Sequence, residues 1–206
     1  MWENHIYSLL HPSIMNDDKA EKDWMEFMLT AMIAMLAIST AGTAYFSHME
    51  GSESTHNYFT SQSILVEANS LFLEANQVII YDFNLYDGYY LANIEGDTNA
   101  SNYYYDSMSL ELIASLDREN GPFDDQYYQE MYQLPNDVYE NGSILAEEAS
   151  VQNTASDGYQ LAVLISAVGL SLTGWAALMA SNKLKLTFFS SSVFCLIITI
   201  IQAFSV

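Results

Sequence analysis

The sequence predicts an all-α membrane protein with three transmembrane helices and a long helical-hairpin extracytoplasmic domain between the first and the second. Three observations carry that expectation. Residues 27–46, 161–180 and 186–204 are apolar runs without a charged side chain, each near the roughly 20 residues that an α-helix needs to cross about 30 Å of hydrocarbon. Four of the five basic residues, Lys19, Lys22, Lys183 and Lys185, stand beside the ends of these runs. Residues 47–158, in contrast, hold twenty acids and the single Arg118. Lys and Arg flanking a spanning helix are retained on the cytoplasmic side, so the predicted path starts inside, crosses, displays the acidic segment outside, returns and leaves again.

The expected segments follow in order: 1–24 cytoplasmic, 25–46 spanning, 47–158 extracytoplasmic, 159–180 spanning, 181–185 a short cytoplasmic turn, and 186–206 spanning. In the first segment Trp2, Ile6, Leu9 and Leu10 form a short apolar stripe ended by Pro12. It reads either as a helix lying on the inner membrane face or as a frayed tail. The first run is longer than the apolar part of a signal peptide, and the residues before it are too acidic for one, so it is expected to remain as an anchor. Trp24 and Tyr45 bracket it, and Tyr159 and Trp175 lie near the ends of the second run, as suits amphipathic rings at headgroup level.

Beyond the first span, Tyr58, Leu65, Ala68, Phe72, Ala75, Ile79, Tyr86 and Tyr90 recur at threes, fours or their sum, which predicts one helix over 54–91. At about 1.5 Å per residue it would make a stalk of more than about 50 Å, with Gly51 as the expected bend. A turn is predicted at 93–101, a helix over 103–116, a break at Asn120-Gly121-Pro122 and a short helix over 125–133. Pro135-Asn136-Asp137 reads as a fresh helix start, with Asn136 or Asp137 as its cap. The pattern then runs through Val138, Leu145, Ala149, Gln152 and Ala155 toward the second span.

Within the membrane, Ala37 and Ala41 in the first span, and Ala162, Ser166, Gly169, Thr173 and Ala177 in the second, place small residues a turn apart. Such rows let helix backbones approach closely. The third span is bulky nearly all round, with Phe188, Phe189, Phe194 and several isoleucines. It reads as lipid-facing or as a partner surface.

Charge and chemistry narrow the function. A net charge of −21 with no basic patch excludes a phosphate backbone, so no nucleic acid partner is expected. An acidic, lysine-poor domain suits a salty medium that screens its self-repulsion, which points to a halophilic archaeal source. The lone Cys195 can form no intramolecular disulfide. Glu53 and His56 form an E-x-x-H pair with His48 just upstream. A helical dimetal site needs two such pairs and two more glutamates; only one pair exists, which Glu147 and Glu148 could meet across the hairpin, so His48, Glu53 and His56 stand as metal candidates against the plainer reading of a solvated surface. Asn99-Ala100-Ser101 and Asn141-Gly142-Ser143 are N-glycosylation sequons at Asn99 and Asn141. No nucleophile elbow or phosphate loop occurs, and no cofactor is expected. The tyrosine clusters at 89–90, 103–105 and 127–128 have the character of contact residues.

The stretch His56-Asn57-Tyr58-Phe59-Thr60-Ser61-Gln62 beyond the first span, and Asp157-Gly158-Tyr159-Gln160-Leu161-Ala162 entering the second, resemble an uncharacterised family of prokaryotic three-span membrane proteins known as a domain of unknown function. The resemblance implies the same three-span topology with a helical extracytoplasmic insert, and no activity. The expected role is non-enzymatic: a plasma-membrane protein with cytoplasmic N-terminus and extracytoplasmic C-terminus, held in the lipid bilayer. It would act as a homo-oligomer or as an accessory subunit with a membrane-protein partner. The alternative is an oligomeric cation channel whose outer carboxylates gather ions.

Overall fold

The computed structural model describes the backbone of residues 12–206 and the side chains of residues 23–206. Among the described residues it is all-helical. Helix α1 covers Pro12–Glu95, α2 Thr98–Ser107, α3 Leu110–Leu116, α4 Asp125–Leu178 and α5 Asn182–Ser205. Three of them, α1, α4 and α5, contain segments long and apolar enough to cross a membrane. The stripe at Trp2–Leu10 and the side chains of Lys19 and Lys22 lie outside the described residues.

Two compact units divide the chain. One takes the described residues up to Glu53 together with Val151–Val206, the other Ser54–Ser150. The first unit holds the apolar segments. Its α1 face is Leu29, Met32, Leu36, Thr43 and Ser47, all buried, while Ala37 and Ala41 are exposed. This corrects the expected packing face of the first span: larger side chains one residue away, about 100° around the helix, fill the interface instead. On α4 the buried set is Ala162, Ser166, Gly169, Thr173 and Ala176, with Ala177 exposed. The two helices are tied by the Thr40 Oγ1 to Ser166 Oγ hydrogen bond at 2.7 Å. Near the other end, Ser156 Oγ donates to the Ser47 carbonyl at 2.9 Å.

Helix α5 returns along α4 after the three-residue connection 179–181, shorter than the expected 181–185 turn. The Met179 N–H closes the last turn of α4 by donating to the Trp175 carbonyl at 3.2 Å. Trp175 meets Phe188 edge-on at 5.9 Å. A Cβ built on Gly169 would lie 3.0 Å from Leu36 and 3.1 Å from Cys195, so three helices converge there because no side chain intervenes. Ser192 and Thr199 of α5 are buried, and Thr199 Oγ1 reaches the Ala162 carbonyl at 3.5 Å. The third apolar segment is therefore partly covered: Ser192 and Thr199 pack inward, Phe188, Phe189 and Ile198 are half-buried, and Phe194, Ile197, Ile200 and Ile201 are exposed.

In the second unit α1 and α4 run antiparallel in a seven-residue register. Ser54 Oγ donates to the Ala149 carbonyl at 2.6 Å, and Ser61 Oγ to the Gly142 carbonyl at 2.7 Å. Seven residues forward on one helix match seven back on the other. One heptad further the count aligns Ala68 with Pro135, both buried. Small residues at these positions bring the backbones close enough for a serine hydroxyl to reach a carbonyl across the interface. Gly51 lies within α1, where an added Cβ would meet Ser156 Oγ at 3.0 Å. It serves close approach rather than the expected bend.

Pro135 likewise does not start a helix, and Asn136 and Asp137 cap nothing, because α4 runs through from Asp125. A proline inside a helix costs about 3 kcal/mol, and a break there would give up the burial of its ring. The real cap is Asp124, whose Oδ1 accepts from the Tyr127 N–H at 2.8 Å. At its C-terminus α1 runs to Glu95, past the expected stop at Leu91. Gly96 takes φ +75° there, and the Asp97 N–H bonds the Ala92 carbonyl at 3.0 Å, a Schellman ending that glycine permits without a Cβ penalty. Asp97 then caps α2. The helix expected over 103–116 breaks at Met108–Ser109 because Ser109 caps α3.

Candidate functional site

Seven of the sixteen aromatic residues of the second unit build or line a core. Ile79, Leu85, Met108, Leu112 and Tyr127 are buried, with Tyr86, Tyr89, Tyr104 and Phe123 among those packed against them. Phe123 adopts φ +66°, uncommon for a residue with a Cβ, and its ring stacks on Phe83 at 4.1 Å and meets Tyr127 edge-on at 5.2 Å. Of the tyrosine clusters expected at a contact surface, Tyr127 is wholly buried and Tyr89, Tyr104 and Tyr128 are partly so. Tyr90, Tyr103 and Tyr105 are exposed.

At the centre lies Asp82, buried on α1. Its carboxyl group accepts from the Ser109 N–H at 2.9 Å, from the Ser109 hydroxyl, and from the Tyr127 hydroxyl at 2.8 Å. Ser109 Oγ in turn accepts from the Leu112 N–H at 3.1 Å. One side chain thus ties α1, the start of α3 and α4 together. Burial, reinforced by the hydrogen bond to Asp82, pushes the Tyr127 phenol well above its ordinary range. Such a phenol holds its proton; it is a structural donor and not a base.

Arg118 engages two acids. Its guanidinium bonds Asp124 at 2.9 Å and both oxygens of Glu130 at 2.7 and 2.8 Å. The hydrogen bond from Arg118, helped by Gln126, holds Glu130 below the usual carboxylate range, and the same pairing raises the arginine. The one arginine of the acidic segment therefore closes the loop between α3 and α4.

His48, Glu53 and His56 all lie exposed on α1. Among the described residues no three His, Cys, Asp or Glu side chains come together to hold a metal ion. Asn99 is exposed in the first turn of α2, and Asn141 is exposed within α4. Lys183 and Lys185 stand in the first turn of α5, after the second apolar segment. A cleft of about 490 Å³ opens between Tyr89, Asn93, Asp97, Asn102 and Tyr105. Its polar groups largely satisfy one another: Asn93 Oδ1 accepts from Ser101, and Asp97 caps α2.

Sequence reasoning passed over Asp82, one acid among twenty. A signal existed: it continues the seven-residue series Ser61, Ala68, Ala75 on the face that is buried. An acid in phase with small buried residues demands a partner.

No family model, curated protein or solved structure matches the chain.

Proposed function

We propose that this chain is a non-enzymatic membrane protein that crosses the bilayer three times and presents an acidic helical domain on the outer side. There it self-associates or serves as a subunit of a larger membrane assembly. The observation that carries this reading is that α1 and α4 each contain both a charge-free apolar segment and part of the acidic unit. A domain anchored at both ends is a presenting device. The side chains most suggestive of chemistry are committed to packing: Asp82 and Tyr127 to each other, and Arg118 to its two acids.

The channel alternative would put Ser166 and Thr173 on a pore. Both are fully buried in the single chain, and each donates to a carbonyl of its own helix, which favours a packing role. Sizing of the protein in mild detergent, with mass spectrometry of what copurifies, tests the reading. An oligomer or a stoichiometric partner is expected, and a strict monomer with no companion contradicts it.

A further inference from the structure

The second unit leaves one face of α1 apolar in a setting rich in acids. Phe59, Val66, Leu73 and Ile80 are seven residues apart and 61–68 % exposed. Two residues after each of them, on the buried side, Ser61, Ala68, Ala75 and Asp82 keep the same period, so the exposed row is a second, unpaired seam of a helix already paired once. Four residues after each apolar position stand Ser63, Ser70, Gln77 and Asn84, all exposed and uncharged. The spacing is that of a coiled-coil heptad with one apolar layer and one polar layer in place of the usual two apolar ones, and polar groups in a seam fix register at a cost in stability. From this, and resting on the reading as a self-associating membrane protein, we infer that a second copy of the chain covers the face through parallel pairing of the two α1 helices.

Charge selects the parallel arrangement. Beside the seam, Glu67 and Glu74 follow Val66 and Leu73, while Gln62 and Asn69 precede Ser63 and Ser70. In a parallel pair the residue before one seam layer faces the residue after the partner's next layer. Gln62 then meets the partner copy's glutamate at the position of Glu67, and Asn69 the one at Glu74, an amide donor against each carboxylate. An antiparallel pair would set glutamate against glutamate, which is unfavourable. Two copies threaded into one membrane by the same lysines also point the same way, and confinement there raises the effective concentration at which a modest seam pairs.

The test uses the full chain in its membrane, with Cys195→Ser as background and single substitutions Phe59→Cys, Leu73→Cys and Ile80→Cys, each oxidised and sized on a non-reducing gel. Glu140→Cys, exposed on α4, is the control. Disulfide-linked dimers at all three seam positions, with several-fold less at the control, are expected of a parallel, in-register pair. Linking at only one seam position indicates an antiparallel pair and overturns the inference, as does linking at the control to the same extent. If no seam position links, the unsubstituted protein is sized in detergent. A species larger than the monomer then overturns this interface alone, and a monomer without companion overturns the proposed self-association as well.

Discussion

Asp82 joins Tyr127 of α4 and Ser109 before α3 to α1 through one buried carboxyl group of the second unit. Replacing Asp82 with Ala strands the Tyr127 hydroxyl and two donors of Ser109, and the loss of a buried partner costs about 1–3 kcal/mol. Chemical denaturation of Asp82→Ala should show a lowered midpoint, and a midpoint unchanged from the parent would count against the network. The raised phenol has a pH consequence. Folding holds the Tyr127 proton, so its contribution is complete below the unfolded value near 10 and declines as pH rises past it, by up to about 1.4 kcal/mol per pH unit. The stability of Tyr127→Phe relative to the parent should therefore improve steadily above about pH 10. Glu130 behaves oppositely, because its value is lowered. The benefit of its pairing with Arg118 is present above the unfolded carboxyl value and lost as pH falls through the folded one, so Arg118→Gln and the parent should converge in acid unfolding.

Helix-level design rests on close approach. Gly88 is the sharpest case in the second unit, since a Cβ there would fall 2.6 Å from the Tyr104 ring. Gly88→Ala gains roughly 0.5–1 kcal/mol of helix propensity but must displace a packed ring, and overpacking costs about 1–3 kcal/mol. Net destabilisation in thermal unfolding is the expected outcome, and a more stable variant would show that Tyr104 has room to move. This scale also shows what sequence could and could not reveal. The apolar spans and the turn at Gly96 were legible because composition and left-handed geometry act locally. Pro135 was not, because its local signal says break while burial on the helix interface says continue. The interface of the first span was misjudged by one residue, Ala37 for Leu36, since small size identifies a residue that allows close packing and not the face on which packing occurs. Asp82 stayed hidden because its meaning depends on Ser109 and Tyr127, distant in sequence.

For the whole molecule, net charge of −21 with twenty acids between the first two apolar segments makes salt the natural variable. Raising ionic strength from about 0.1 M to about 1 M shortens the screening length from about 10 Å to about 3 Å. Melting temperature should climb with NaCl across that range, and a flat response would remove the high-salt reading. The orientation of the chain rests on so few cations that each matters, and Lys183 and Lys185 lie where the second and third apolar segments join. The most direct test is labelling of intact cells with a membrane-impermeant thiol reagent, using Glu74→Cys in a Cys195→Ser background. Glu74 is exposed on α1, so prompt labelling before lysis is predicted if the acidic unit faces outward. Labelling that appears only after the membrane is opened would contradict the account.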